Sequence, residues 1–234
     1  MTKLRFGRGN AKLSREIATF SLPAGHTCPG ACECLSKADK DTGKVTDGPE
    51  SRFRCFAASQ EGWSSVRGSR WANMQMLREA GVKAGMSDLI LRSLPSWAQY
   101  VRIHVSGDFF SQEYFDAWAE VAALRPDIVF YAYTKSVPFW VTRKNTLTPN
   151  FRLTASRGGK FDKLIDEHRL PDAQVVFHPD EAGDRKLDKD DSLAMAAQRD
   201  SFALLLHGQQ AAGSKASAAL RQLRKENIEY AYSK

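Results

Sequence analysis

Short runs of apolar residues alternate with helical patterns along most of the chain. The runs predict β-strands at residues 17–22, 100–105, 128–133, 151–155, 173–177, 202–206 and 228–232. Apolar residues at helical spacing predict α-helices at 70–80, 87–94, 111–124, 138–144, 161–168 and 214–226. Repeated strand–loop–helix units are typical of a parallel sheet with helical crossovers.

These units predict an α/β fold, and their number favours an incomplete TIM-like barrel of parallel strands. A doubly wound sheet is the second choice. We expect one α/β domain over residues 1–234, with an N-terminal cysteine-rich loop at 23–57 that binds a metal or cluster. Within it, residues 35–54 are dominated by charges and turn formers, which indicates a loop or hairpin.

Composition narrows the class of protein only moderately. Hydrophobic residues make up 42% of the 234 positions, enough for a sizeable core. No stretch approaches the roughly 18 apolar residues of a membrane span, and the start shows no apolar signal segment. We therefore expect a soluble, cytoplasmic protein. The net charge of +7 permits nucleic acid as a partner, although the basic residues are dispersed.

The four cysteines are the strongest chemical signal. Cys28, Cys32 and Cys34 lie in one heptapeptide, and Cys55 follows after a gap of 20 residues. A disulfide framework is disfavoured in a long chain with so few cysteines, and buried structural thiols would be expected on apolar faces. Zn is the rival metal, but it usually takes paired C-x2-4-C ligands. The spacing favours a [4Fe-4S] cluster held by these thiols.

Polar side chains follow the predicted strands. The carboxyl ends of parallel strands meet at one edge, where active groups collect, so these residues predict a site for a small-molecule substrate. The candidates for acid, base or oxyanion roles are His104, Asp108, Tyr133 and Lys135, and those for cofactor binding are Ser106 and Ser156. The structural alternatives are that His104 is a buried core histidine and that Asp108 caps the N-terminus of a helix. The turn at 156–160 resembles an anion-binding turn.

Alternation along the strand places Arg102, His104 and Ser106 on one face, which in a barrel would point inward.

Several motifs resemble the "gene product 88" family of bacteriophage proteins. They are the segments 21–31, 55–57, 102–110 and 133–136, together with Cys34, and the resemblance spans about residues 18–160. The resemblance implies a bacteriophage origin for the chain.

A looser resemblance is to radical S-adenosylmethionine enzymes, which place a cysteine cluster after the first strand of a partial TIM barrel. In those enzymes three cysteines bind three irons and the fourth iron takes the cofactor. The tight trio here has Cys-x3-Cys-x-Cys spacing in place of Cys-x3-Cys-x2-Cys. The resemblance implies the barrel and the cluster, with S-adenosylmethionine as a further candidate cofactor.

The sequence thus leads to an iron–sulfur protein with three functional hypotheses. If only three cysteines are ligands, one iron is open and acts as a Lewis acid, which suits a hydrolase of the esterase type. The alternatives are a radical-type enzyme, or a basic binder of nucleic acid or host protein with a structural cluster or Zn. Whether Cys32 is a ligand stays open at this point.

Overall fold

A seven-stranded sheet organises the chain. The computed structural model describes residues 3–10, 12–198 and 200–229. Two short strands outside the sheet, β3 (Ser36–Ala38) and β4 (Val45–Asp47), form a hairpin within the predicted loop or hairpin at 35–54. In chain order the strands are β1 (Gly7–Arg8), β2 (Ile17–Ser21), β3 (Ser36–Ala38), β4 (Val45–Asp47), β5 (Tyr100–Ser106), β6 (Val129–Thr134), β7 (Phe151–Ser156), β8 (Asp172–Val176) and β9 (Phe202–Leu205).

Helices connect the strands of the sheet. They are α1 (Ser64–Ala80), α2 (Lys83–Ser93), α3 (Gln112–Leu124), α4 (Val137–Arg143), α5 (Asp162–Glu167), α6 (Ser192–Met195) and α7 (Lys215–Lys225). The sheet order is β1-β2-β5-β6-β7-β8-β9, and every pair from β2 to β9 is parallel. The predicted α/β class with helical crossovers is therefore confirmed. Among the described residues β1 and β9 do not pair, so no closed barrel forms.

One face of the sheet is apolar and carries the main core. The side chains of Phe20, Ile103, Phe130 and Leu153 are fully buried there, and they pack with residues of helices α1 to α5. Trp118 of α3 lies 5.5 Å from the ring of Phe20. Burying such side chains contributes about 1.5–3 kcal/mol each, so this layer fixes where the strands end.

The opposite face is mixed, because it carries a second buried apolar cluster, which includes Ile17, Ala173 and Phe202, and a buried ionic group. Arg102 of β5 and Tyr131 and Tyr133 of β6 point to the buried carboxylate of Asp191, which immediately precedes α6. Short helix α6 lies against β6 and β7 on this side. The five helices α1 to α5 thus cover one face, while loops and a four-residue helix cover part of the other.

A bulge interrupts β5 beside β2. Thr19 pairs with Arg102, but Ser21 pairs with Ser106, so β5 contains two extra residues there. His104 adopts a left-handed φ of 66° in this bulge, a conformation that is uncommon for a residue other than glycine. Its ring packs with Phe109, 4.7 Å away, on the helical side. The expectation that His104 shares a face with Arg102 is therefore wrong, because the bulge breaks the alternation.

Other boundaries differ in smaller ways. Helix α2 begins at Lys83, four residues before the predicted start, because Gly81 ends α1 in a left-handed conformation and a new helix follows at once. Residues 228 and 229 of the predicted last strand are irregular, and 230–232 lie outside the described residues. Within the described ranges, no helix has the length and apolar character needed to cross a bilayer.

Candidate functional site

Three of the four cysteines line one cavity at the carboxyl ends of the strands. Cys28 follows β2, Cys34 precedes the hairpin of β3 and β4, and Cys55 comes just before a 3-10 turn at Ala58–Gly62. The cavity has a volume of about 150 Å³. Each cysteine is half-buried and has a free thiol. The long polar excursion between Cys34 and Cys55 thus brings the chain back to the same place.

Backbone contacts hold the cysteine-rich loop against the end of β7. The amide of Lys160 donates to the carbonyl oxygen of Gly30 at 2.9 Å, and Glu33 N donates to Gly158 O at 3.0 Å. Ala31 and Gly159 form an isolated antiparallel bridge. The loop therefore spans from β2, where it starts, to β7, three strands away in the sheet.

The surroundings of the three thiols disfavour the negatively charged thiolate form. Burial raises the pKa of the Cys28 thiol well above its usual value, with Asp108 and Cys55 adding to the effect. Burial likewise raises the pKa of Cys34 to about 12, and it is the largest cause that raises the pKa of Cys55. Free thiols here stay protonated near neutral pH, whereas a bound metal would displace the protons.

Backbone amides already point at two of the sulfurs. Gly25 N donates to Cys28 Sγ at 3.3 Å. The amides of Ala57 and Ala58 act on Cys55 and oppose the burial effect on its pKa. Donors of this kind stabilise thiolates, and in iron–sulfur proteins they tune the reduction potential.

Cys32 lies outside this cavity. Its Sγ donates to Glu50 Oε2 at 2.8 Å, and this hydrogen bond raises the pKa of the thiol. The two thiols separate because residues 32–34 form a bend and a turn, closed by the hydrogen bond from Leu35 N to Cys32 O at 2.9 Å, and not an extended strand in which alternate side chains share a face. The structure therefore brings together Cys28, Cys34 and Cys55 and leaves Cys32 apart.

Every other predicted site residue lines the same cavity. They are His104, Ser106, Asp108, Tyr133, Lys135 and Ser156. Their hydrogen bonds leave them with different abilities to donate or accept further hydrogen bonds.

His104 and Ser106 present polar atoms that have no hydrogen-bond partner. His104 is 4% exposed, and its Nε2 lies 2.9 Å from Tyr114 Oη while Nδ1 has no partner. Burial lowers the pKa of His104 to about 3, so the ring is neutral near pH 7. In the tautomer in which the Tyr114 hydroxyl donates to Nε2, the ring proton of His104 is on Nδ1, which has no partner. Ser106 Oγ is likewise buried and unpartnered.

Asp108 ties two strand ends together. Its carboxylate accepts from Phe109 N at 2.7 Å, Thr134 Oγ1 at 2.6 Å and Lys135 N at 2.8 Å. Burial nevertheless raises the pKa of this carboxyl. The group holds the ends of β5 and β6 beside the thiols, and its lone pairs are mostly used.

Lys135 supplies a positive charge near Cys34. Its Nζ donates to the carbonyl oxygens of Ser156, at 2.8 Å, and of Arg157, and its charge opposes the pKa rise of Cys34. Ser156 contributes this backbone acceptor. Tyr133 Oη lies 3.3 Å from Asp191 Oδ1, on the face of the sheet opposite helices α1 to α5.

The glycine turn after β7 is already occupied by an internal anion. Gly158 N and Gly159 N each donate to the carboxylate of Asp162 at 2.9 Å. The turn thus has the anion-binding geometry that its sequence indicates, but Asp162 of α5 fills it.

Sequence reasoning did not identify the buried ionic group on the face of the sheet opposite helices α1 to α5. Asp191 is fully buried and pairs with Lys12, whose Nζ lies 2.6 Å away, and with Arg102. Lys12 and Asp191 come from two loops far apart in the chain and carry no motif. The sequence indicated Arg102 only through its alternation with His104 along the strand.

No three His, Cys, Asp or Glu side chains in the described ranges form a group suited to a single metal ion. The three thiols instead stand around a cavity, within electrostatic reach of one another.

Comparison with known proteins gives one family. The family model described as "Gene product 88" matches residues 3–225. The "Gene 88 protein" of Mycobacterium phage L5 is 29% identical over 119 residues, which are 50% of this chain and 47% of that protein. The chain thus matches about half the length of this curated relative. No solved structure shows significant similarity to the chain.

Proposed function

The chain belongs to the Gene product 88 family of phage proteins, and we propose that it is an iron–sulfur protein whose [4Fe-4S] cluster is held by Cys28, Cys34 and Cys55. The observation that carries this proposal is the convergence of these three thiols on one cavity at the carboxyl ends of the strands. Thiolates are the ligands that such clusters take in proteins.

A cluster fits this arrangement better than a single Zn²⁺. Tetrahedral Zn with Zn–S bonds of about 2.3 Å would need its thiolates only about 3.8 Å apart. The thiolates around a cluster lie farther apart than those around one Zn²⁺, because each thiolate binds a different iron. The amides that face Cys28 and Cys55 and the charge of Lys135 near Cys34 would offset the negative charge of its ligands.

The architecture supports an incomplete TIM-like barrel around this site. The parallel strands follow one another in chain order, with α1 to α5 on one face and polar residues on the other. A doubly wound sheet reverses its strand order and carries helices on both faces. The cysteine loop begins after the first parallel strand, as a site at the carboxyl rim requires.

Three thiols leave one iron of the cluster without a protein thiolate. When bound, the cluster would supply an open Lewis-acidic iron. Around it, the Nδ1–H of His104 and the hydroxyl of Ser106 would hold an oxygen of a bound molecule, and Asp108 would keep the strand ends in place. His104 serves as a neutral hydrogen-bond donor in this proposal, because its pKa of about 3 leaves it unprotonated near pH 7.

Four single Cys→Ser variants test the cluster assignment under anaerobic conditions. We expect about four irons and four sulfides per wild-type chain, with the visible absorption of an iron–sulfur centre. Cys28→Ser, Cys34→Ser and Cys55→Ser should lose most of the iron, while Cys32→Ser, the matched control, should keep both the iron and the EPR signal. Full iron in Cys55→Ser would refute the assignment. Stoichiometric Zn in place of iron would refute the cluster.

Two reactions follow from an open iron and the groups around it. The unpartnered donors of His104 and Ser106 suit a hydrolase, as partners for a developing oxyanion. The order of strands and the place of the thiols suit reductive cleavage of S-adenosylmethionine.

Separate assays distinguish them. Formation of 5′-deoxyadenosine by the reduced protein would support the radical reaction. Turnover of a chromogenic ester that is lost in His104→Ala and in the cluster-free protein would support the hydrolase. Silence in both assays would leave the cluster a structural role in a binding protein.

A further inference from the structure

The amino-terminal segment places several cations beside the edge strand β1. Residues 3–15 contain five lysines and arginines and no aspartate or glutamate. Lys12 pairs with Asp191 in the acidic loop at 188–191 and is set aside. The other four are exposed, and we call them the basic edge: Lys3, Arg5, Arg8 and Arg15. Within the described ranges none of the four pairs with a carboxylate, and Glu16, next in the chain, offsets only one of them.

The helices packed against this segment do not supply the missing negative charge. Asn73 of α1 and Ser93 of α2 hydrogen-bond to its backbone. The two helices together carry five lysines and arginines against two acidic residues. Glu61, just before α1, is fully buried and compensates Arg70. A positive excess therefore remains at the surface of the basic edge.

A groove runs beside the basic edge, between β1, β2 and the first half of α1. Its volume of about 420 Å³ lies within the range of about 300–1,000 Å³ typical of ligand sites. Its described lining residues include no aspartate or glutamate. They offer one exposed cation, Arg5, and the hydroxyl and amide side chains of Asn10, Thr19, Ser21, Gln60, Ser65 and Ser69. The groove can therefore hydrogen-bond to a polar chain without repelling its negative charges.

Two exposed tryptophans accompany the basic edge and the groove. Trp63 is 74% exposed and lies two residues before Ser65, which lines the groove. Trp97 is 36% exposed, and the guanidinium of Arg8 lies 4.6 Å from the centre of its ring. Exposed rings beside cations are the platforms on which proteins stack the bases of single strands.

We propose that the basic edge and its groove bind single-stranded nucleic acid, with phosphates beside Arg5 and Arg8 and bases stacked on Trp63 and Trp97. The cations neutralise the backbone, and the rings receive unstacked bases, which a duplex does not present. An acidic protein segment would satisfy the cations but gives no reason for the exposed rings. This surface is separate from the thiols, so the proposal goes beyond the proposed function and needs no cluster.

Fluorescence anisotropy of labelled single strands of about 15 nucleotides tests the proposal. DNA and RNA strands of mixed sequence are titrated with cluster-free and with cluster-loaded protein. The competitors are the same sequence as a duplex and polyglutamate of matched charge. We expect the better of the two single strands to bind about tenfold more tightly than either competitor, with an affinity that falls as salt rises. Equal binding of polyglutamate or of the duplex would overturn the proposal.

Charge-removing variants locate the phosphates. Arg5→Gln and Arg8→Gln should each weaken binding about fivefold at about 0.1 M salt, and each should reduce the slope of log affinity against log salt by about 0.7, the loss of one phosphate contact. Arg221→Gln is the matched control, at an exposed arginine of α7, which packs against β9 at the opposite end of the sheet. It should bind as the wild type does, and an effect equal to that of Arg5→Gln would overturn the assignment.

Aromatic variants test the stacking. Trp63→Ser should weaken binding at least about fivefold. It should not lower Tm, because Trp63 caps α1 without a side-chain hydrogen bond and serine is a preferred N-cap. Wild-type affinity in both Trp63→Ser and Trp97→Leu would overturn the proposal. Iron is measured in the same preparations, so a protein that assembles its cluster but binds no single strand overturns this surface alone.

Discussion

The contact between the cysteine loop and β6 can be tested with one methyl group. Gly30 follows Cys28 by two residues and is buried. A Cβ at this position would lie 2.0 Å from the carbonyl oxygen of Lys135 and 2.6 Å from its carbonyl carbon. Both are backbone atoms of the strand end that also carries the Asp108 hydrogen bond, so no side chain can rotate out of the way. Gly30→Ala must therefore displace the loop or the strand end.

The size of the effect follows from this distance. Ordinary contact lies near 3.5 Å, so about 1.5 Å of relative movement is required. Overpacking of this kind costs typically 1–3 kcal/mol, and each kcal/mol lowers Tm by roughly 2–4 °C in a chain of this length. We expect Gly30→Ala to melt roughly 2–12 °C lower. It should also bind less iron, because Cys28 and Cys34 flank the displaced residue.

Gly68 provides the matched control. It lies on the exposed face of α1, and a Cβ there meets no atom within 4 Å. Gly68→Ala should raise stability by about 0.5–1 kcal/mol, because alanine is the better helix former. Thermal melting and iron content are measured for both variants. Wild-type Tm and full iron in Gly30→Ala would refute the reasoning that the close approach positions the thiols.

Two further predictions concern buried charge. Asp191→Asn should cost about 3–5 kcal/mol in urea unfolding, because Lys12 and Arg102 then lose a fully buried carboxylate that pairs with both. The double variant with Lys12→Met should recover part of the loss, and simple additivity would contradict the pairing. The cluster-free protein should lose stability between pH 6.5 and 5, since the buried rings of His104 and His207 have folded pKa values of about 3 and about 4 and only the unfolded chain takes up protons there. The loss is on the order of 2 kcal/mol per ring at pH 5. His207→Asn should reduce the slope of stability against pH in that window, and an unchanged slope would argue against the assignment.

The strand–helix alternation and the strand ends were predictable because both depend on local periodicity. A run such as 128–133 is so apolar that it is expected to be a buried strand of a sheet. Parallel strands place their carboxyl ends at the same edge of that sheet. The same logic brings His104, Tyr133 and Ser156 to a common rim, where the structure has them. The polar excursion after Cys34 likewise indicated a hairpin.

The features that escaped prediction depend on contacts between distant parts of the chain. The bulge at His104 is set by how β5 pairs with β2, and no residue of that strand signals a left-handed φ. Lys12 and Asp191 meet only because two loops fold over the same face of the sheet. Helix α6, with four residues, is too short to show a period.

The way the cysteine loop is fastened has a consequence for how the protein matures. All four cysteines lie within the first 55 residues, but Gly30 is held by Lys160, which is made 130 residues later. At about 5–20 residues per second, a nascent chain carries these thiols for roughly 6–26 s before their anchor exists. A fragment released before β7 contains every candidate ligand and lacks the contacts that gather them. We therefore expect the proposed cluster to be loaded only after residues 158–160 have been made.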